Sequence, residues 1–316
     1  MPCLGQFPVA ALVILFATTN AVPSPTGTAR GKAFWSALAK DCAVPPGETA
    51  FGLVKEATSF LGSPDSDWRD DLGYSVVASC VYAKRSLKPE ERRALVAELS
   101  ANLRRGIGEA GTDSVLLRSF SALDLSILAA LEDLDPVLDG QGYRKLLDAA
   151  LAHLRDERDL RGFEPRVGWI HATAHTADLL KFLARDARFA KADQQRLFDA
   201  GWSKMTMEGT PVFTHAEDER LAAALAAVVR RADFDSSLLD PWLVRFVAQE
   251  KQLWAQAPPR PQALDAAQNA RNLLQGLFVE LHLPAPAPPG APPAAADPAQ
   301  AAAREKLLAT LRAIRR

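Results

Sequence analysis

His171 and His175 stand four residues apart, and Asp178 follows three residues later. At roughly 100° of rotation per residue, that spacing puts two imidazoles and a carboxylate in one narrow sector of a helix. Two chemistries suit such a set. A His pair at i, i+4 with a carboxylate is a ligand set for a divalent transition metal. Without a metal, the same groups could bind a ligand or move a proton. The first His is not followed by the glutamate of a zincin helix, which removes the strongest form of the metal reading. The surroundings are mostly apolar: Trp169, Ile170, Ala172, Ala174, Ala177, Leu179 and Leu180. Three polar groups in such a helix need partners, because an unpaired buried polar group costs about 1–3 kcal/mol.

A second polar cluster, His215, Glu217, Asp218 and Arg220, stands at the start of a later helix, with Asp218 near the edge of the apolar face that begins at Leu221. Arg118 shares one side of a third helix with Ala122, Leu125 and Ala129. The expectation is one internal polar site built from Arg118, Trp169, His171, His175, Asp178, His215, Glu217, Asp218 and Arg220. In it, His171, His175 and Asp178 face the start of the helix that carries residues 215–220. Plainer accounts compete. Thr214 and Glu217 fit a capping box, Asp218 and Glu219 suit a first turn, and Arg118 could neutralise Asp178 or Asp218. Buried polar groups are generally paired, so a structural hydrogen-bonded network is favoured over a metal site on His171, His175 and Asp178, and over a metal-free catalytic site. Ser79 and Ser203 lack a glycine-flanked elbow. The pairs Asp70-Asp71 and Glu90-Glu91 are adjacent and so point different ways.

The elements that must position these groups are helices. Pro46-Gly47-Glu48, Ser66-Asp67, Pro89-Glu90-Glu91, Thr112-Asp113, Asp139, Pro165, Asp193, Thr214, Ser236 and Pro261 all read as helix starts. Apolar stripes such as Leu95, Leu99 and Leu103, or Leu221, Leu225, Val228 and Val229, keep helical spacing between them. No stretch alternates long enough for a strand. Starts recur roughly every 20–28 residues, so helix pairs recur at about the period of HEAT or armadillo units. The predicted fold is therefore all-α, with antiparallel helix pairs stacked into a superhelix over residues 30–283. A compact irregular helical domain or an α/α toroid is the alternative. Gly106-Ile107-Gly108 and Asp139-Gly140 read as turns between helices, since neither follows a strand as a phosphate loop would.

Hydrophobic residues at 48% and charged residues at 24% fit a soluble globular chain. Lys and Arg number 37 against 38 Asp and Glu, which argues against nucleic acid as a partner. The apolar run from Phe7 to Ala17, with Thr19-Asn20-Ala21 behind it, reads as a cleaved signal peptide over residues 1–21, although no Lys or Arg precedes the run. The run is too short to span a bilayer, so no transmembrane segment is expected in the mature chain, which would be periplasmic or secreted. Export would leave Cys42 and Cys80 as a candidate disulfide, with two buried thiols as the other reading. Residues 284–299, rich in Pro and Ala, read as an extended linker. Residues 300–316 read as a basic amphipathic helix with Leu307, Leu308, Leu311 and Ile314 on one face. Folding back on the domain is favoured for it over docking to a membrane surface.

The segment Gly168-Trp169-Ile170-His171-Ala172-Thr173-Ala174-His175-Thr176-Ala177-Asp178 resembles the central motif of the bacterial domain of unknown function 2785. Similar stretches are Arg69-Asp70-Asp71-Leu72-Gly73-Tyr74, Leu117-Arg118-Ser119-Phe120-Ser121-Ala122-Leu123, His215-Ala216-Glu217-Asp218-Glu219-Arg220-Leu221 and Ala270-Arg271-Asn272-Leu273-Leu274. They run in order from about Asp65 to Leu283. The resemblance implies an all-α fold without an established activity. It also draws His171, His175, Asp178, Arg118, Glu217 and Asp218 into one shared site. The functional expectation is a binding or scaffold module that meets a protein or small-molecule ligand in a groove lined with exposed aromatic residues. The alternative is a metal-dependent or acid/base enzyme using His171, His175 and Asp178.

Overall fold

The computed structural model describes residues 30–255, 257–284 and 298–314. The expected signal segment 1–21 and most of the expected linker lie outside the described residues. The described chain is all-α apart from one two-stranded hairpin. It opens with α1 (Lys32–Asp41), α2 (Ala50–Thr58) and a single 3₁₀ turn (Ser59–Gly62). Helix α3 (67–83) follows, widened into π geometry over Asp67–Tyr74 and Ala78–Ala83. Next come α4 (Pro89–Asn102), α5 (Ser114–Glu132) and α6 (Gly140–Asp156). The hairpin strands β1 (Phe163–Glu164) and β2 (Gly168–Trp169) lead into α7 (Ala172–Leu183). After them come α8 (Lys191–Thr206), α9 (Glu217–Val229), α10 (Leu239–Trp254), α11 (Pro261–His282) and α12 (Pro298–Ile314).

Local chemistry explains several of the starts. Pro89 occupies the first turn of α4, and the Glu91 carboxylate accepts from the Lys88 amide at 2.8 Å. The Asp139 carboxylate caps α6 by accepting from Gly142 N at 2.6 Å. Two expected starts are corrected. Pro165 sits in the hairpin turn, and the helix begins only at Ala172. Thr214 does not cap α9: its hydroxyl meets the His215 ring at 3.1 Å, and the helix begins at Glu217 behind Ala216, which is left-handed at φ 67°. Helix α1 carries no start signal among those read from the sequence.

Helices α5, α7, α9 and α11 touch one another in that order, and α4, α6, α8 and α10 pack against this row. The stripes Leu95, Leu99, Leu103 and Leu221, Leu225, Val228, Val229 are buried between these helices. Full burial of each such Leu contributes about 1.5–3 kcal/mol relative to exposure. Among the described residues α5 is the one helix long and apolar enough to cross a membrane, and most of its surface is buried against α3, α4 and α7. Helix α12 lies on α10 and α11 and buries Ala303, Leu307 and Ile314 there, so its apolar face is already occupied.

The first three helices form the end of the row next to α5. Trp35, Phe60 and Trp68 stack edge to face, with centroids 5.0 Å apart in each pair. A Cys42–Cys80 disulfide joins the end of α1 to α3, with Cα atoms 5.1 Å apart. The bridge closes a loop of 38 residues, which should stabilise the fold by about 2–4 kcal/mol by restricting the unfolded chain. Equilibrium urea unfolding of Cys42→Ser/Cys80→Ser should show that loss, and a double variant as stable as the parent would refute it.

Candidate functional site

Every residue from 170 to 180 is buried, so the polar groups of α7 are served from inside. His175 lies on the α5 side. Its Nδ1 is 2.8 Å from Ser119 Oγ, and its ring meets Phe120 edge to face with centroids 4.9 Å apart. The Ser119 hydroxyl donates to the Ile170 carbonyl. Its oxygen therefore accepts from His175 Nδ1–H, and Nε2 is left as the acceptor nitrogen. Asp178 lies on the α9 side and is held by Arg220 and, at 2.8 Å, by Lys181.

His171 is not in the helix. It caps α7 in the left-handed region, at φ 50° and ψ 29°, outside the sector assumed for it from spacing. Its Nε2 is 3.7 Å from Glu217 Oε1, beyond hydrogen-bond reach, and has no partner although the atom is buried. Ala216, at the start of α9, is left-handed as well. Two non-glycine residues thus hold a sparsely populated backbone conformation at one place, a pattern that concentrates at functional sites.

The hairpin builds the outer wall. Pairing Phe163 with Trp169 sets both aromatic rings on one face, with centroids 5.1 Å apart. Both remain open, at 44% and 43% exposure. Trp169 also lies over the His171 ring at 4.4 Å and meets His215 edge-on at 5.8 Å. Buried Arg69 fixes the hairpin by donating to the carbonyls of Val167 at 2.7 Å and Trp169 at 3.1 Å, while its guanidinium covers Phe120 at 4.7 Å. Gly162 completes the wall. A Cβ there would come within 2.5 Å of His215 Nδ1 and 2.6 Å of Glu217 Oε1, so only glycine leaves both groups in place. Behind them opens a cleft of about 470 Å³ lined by Gly111, Gly162, Phe163, Phe213, His215 and Glu217.

His215 and Glu217 line the cleft, and Trp169 and His171 pack against them, with His175 behind His171 (ring centroids 5.7 Å apart) and Asp178 and Arg220 a turn further along. Two predicted members lie elsewhere. Arg118 is buried against Glu157, at 2.6 Å and 3.1 Å, in a network with His153 that joins α5 and α6. Asp218 turns toward α11, beside Asn272 and Gln275. Arg69, Ser119, Gly162 and Phe163 belong to the site without having been singled out for it. A glycine ahead of an aromatic and a proline was the one available hint of the hairpin.

Electrostatics keeps the imidazoles neutral. Burial lowers His171 to about 4, against an opposing pull from the His215 backbone. Burial lowers His175 to about 3, and the nearby His171 ring disfavours a second positive charge beside it. Burial raises the Glu217 carboxyl, although the His215 amide donates to it at 2.9 Å. The site thus offers a neutral imidazole nitrogen without a partner and a carboxyl of raised pKa side by side. Among the described residues, no group of three or more His, Cys, Asp or Glu side chains converges to hold a metal.

The sequence model of the family described as "Protein of unknown function (DUF2785)" matches residues 103–279, more than half of the 316-residue chain. The chain belongs to this family. The match spans α5 to most of α11 and contains the whole hairpin site, while Arg69 lies ahead of it. Searches of curated proteins and of solved structures find no match.

The lowered histidines make stability pH-dependent. Both favour the neutral form in the fold, so their contribution is complete above the unfolded value near 6.5 and falls away as pH drops toward about 4 for His171 and about 3 for His175. Urea midpoints measured from pH 7 to pH 4 should therefore fall, and His175→Gln should flatten that fall. An unchanged slope in the variant would show that His175 does not carry the effect.

Proposed function

We propose that this protein is an exported ligand-binding module of stacked helix pairs, in the manner of HEAT or armadillo repeats, whose site is the cleft beside Trp169. The observation that carries the reading is an open aromatic pair, Phe163 and Trp169, standing next to an unpartnered buried imidazole nitrogen and the Glu217 carboxyl. Exposed aromatic rings beside a few convergent polar groups are the usual make-up of a small-molecule site. The ordered contacts of α5, α7, α9 and α11 support the repeat reading, because stacked units touch mainly their neighbours.

Binding is tested by thermal-shift screening of the purified protein against neutral sugars, amino acids and short peptides, with tryptophan fluorescence as the second signal. Trp169→Ala should abolish the response to any ligand found while leaving the unliganded melting temperature nearly unchanged, since the ring is half open. Ligands that bind the variant as well as the parent would place the site elsewhere.

The neutral His171 beside Glu217 supports a second reading, acid/base catalysis, with His171 Nε2 accepting a proton and the Glu217 carboxyl donating one. Under that reading, Glu217→Gln retains ligand binding and loses turnover. Turnover at the parent rate in the variant would take Glu217 out of that role, and no turnover in the parent would leave binding alone.

Export is supported by the Cys42–Cys80 bridge, since disulfides persist in oxidising compartments and are rare in the cytosol. Mass spectrometry of the protein from its native host should find an N-terminus just after Ala21. An intact residue 1 in cytosolic fractions would contradict this.

A further inference from the structure

Two cations away from this site lack an acidic partner. Lys204 of α8 is 2% exposed, and its ammonium donates to the main-chain oxygen of Glu157 at 2.8 Å. The Glu157 carboxylate is already taken by Arg118. Burial pushes that carboxylate up, but the neighbouring His153 ring and hydrogen bonds from Arg118 and the Asp159 amide outweigh it and hold Glu157 down at about 2. Arg158, in the stretch after α6, places its guanidinium on the Met207 sulfur and meets no carboxylate among the described residues.

Both cations line a cleft of about 490 Å³ between α6 and α8. Its other charged groups are satisfied. Arg155 pairs with Asp156, Arg196 pairs with Asp148 and Asp193, and Asp199 pairs with Arg245 at 2.7 Å. Lys204 and Arg158 thus remain as two like charges in one cleft, one of them buried. Burial lowers Lys204 to about 8; Glu157 opposes this and the charge of Arg158 adds to it. Buried charges are normally paired, and removing one from water without a counter-charge is costly.

We propose that this cleft binds a small molecule through an oxyanion, a phosphate or a carboxylate group, that bridges Lys204 and Arg158. The ammonium supplies a point charge and the guanidinium a two-pronged donor, the pair that recognises such groups. The volume falls within the range of small-molecule sites, and leaves room for a body attached to the anionic group. Leu151, Ala200 and Met207 give that body an apolar bed.

Isothermal titration of inorganic phosphate, and separately of succinate, into the purified protein at fixed chloride tests the assignment. At least one anion should bind saturably, and which one binds tells phosphate from carboxylate recognition. Arg158→Ala and Lys204→Met should each weaken binding by about ten-fold or more, equivalent to about 1.4 kcal/mol. Arg166→Ala, which removes a surface arginine paired with Asp113, should leave it unchanged. Binding of neither anion, or binding that Arg158→Ala leaves intact, would overturn the proposal. Arg158 is exposed, so its variant carries the test even where Lys204→Met fails to fold.

Discussion

Helix α7 is enclosed by α5, α6 and α9, and every residue of the run 170–180 is buried. That enclosure constrains the rest of the site. A polar side chain on such a helix is tolerated only where a neighbour supplies its hydrogen bond, or where the helix begins and the backbone turns outward. His175 meets the first condition through Ser119, and Asp178 meets it through Arg220 and Lys181. His171 meets the second. It stands at the N-cap, its ring lies under Trp169, and its Nε2 is left without a partner.

The same constraint separates the buried ionic groups into distinct networks. Arg118 lies on the same helix as Ser119, yet its guanidinium points to Glu157 and the Arg105 carbonyl rather than toward α7. A paired, fully buried guanidinium of this kind holds α5 against the end of α6 and contributes nothing to the cleft. Asp124, also on α5, is fully buried with neither carboxylate oxygen partnered, and burial raises its pKa well above the usual range. Its neutral form is the one compatible with those surroundings.

Rigidity at the hairpin comes from elements distant in sequence. Arg69, from the π-widened α3, donates to two of its carbonyls, and Arg161 ties Glu164 of its first strand to Asp159 and the Thr112 carbonyl. A strand pair of two residues on each side would not persist alone in water. These bonds hold Phe163 and Trp169 open to solvent in one arrangement, the form in which aromatic rings lose least on meeting a ligand.

Local sequence determined the class of fold and much of its register. Pro89, Asp139 and Pro261 mark helix starts because capping and first-turn preferences act over a few residues, and the leucine stripes mark buried faces because the helical period is local. The same reasoning located the neighbourhood of the site, since polar groups in an apolar run need partners wherever the run is packed. Tertiary structure decided the rest. Spacing alone placed His171 inside a helix, but β2 ends at Trp169 and the chain passes through a left-handed His171 before α7 begins. Composition offered Arg118 as a partner for Asp178, but the end of α6 brings Glu157 closer. Gly162 acquired meaning only when α9 set His215 and Glu217 against it. The last two choices depend on contacts between residues about 40–55 positions apart, and no local periodicity or capping preference carries information over that distance.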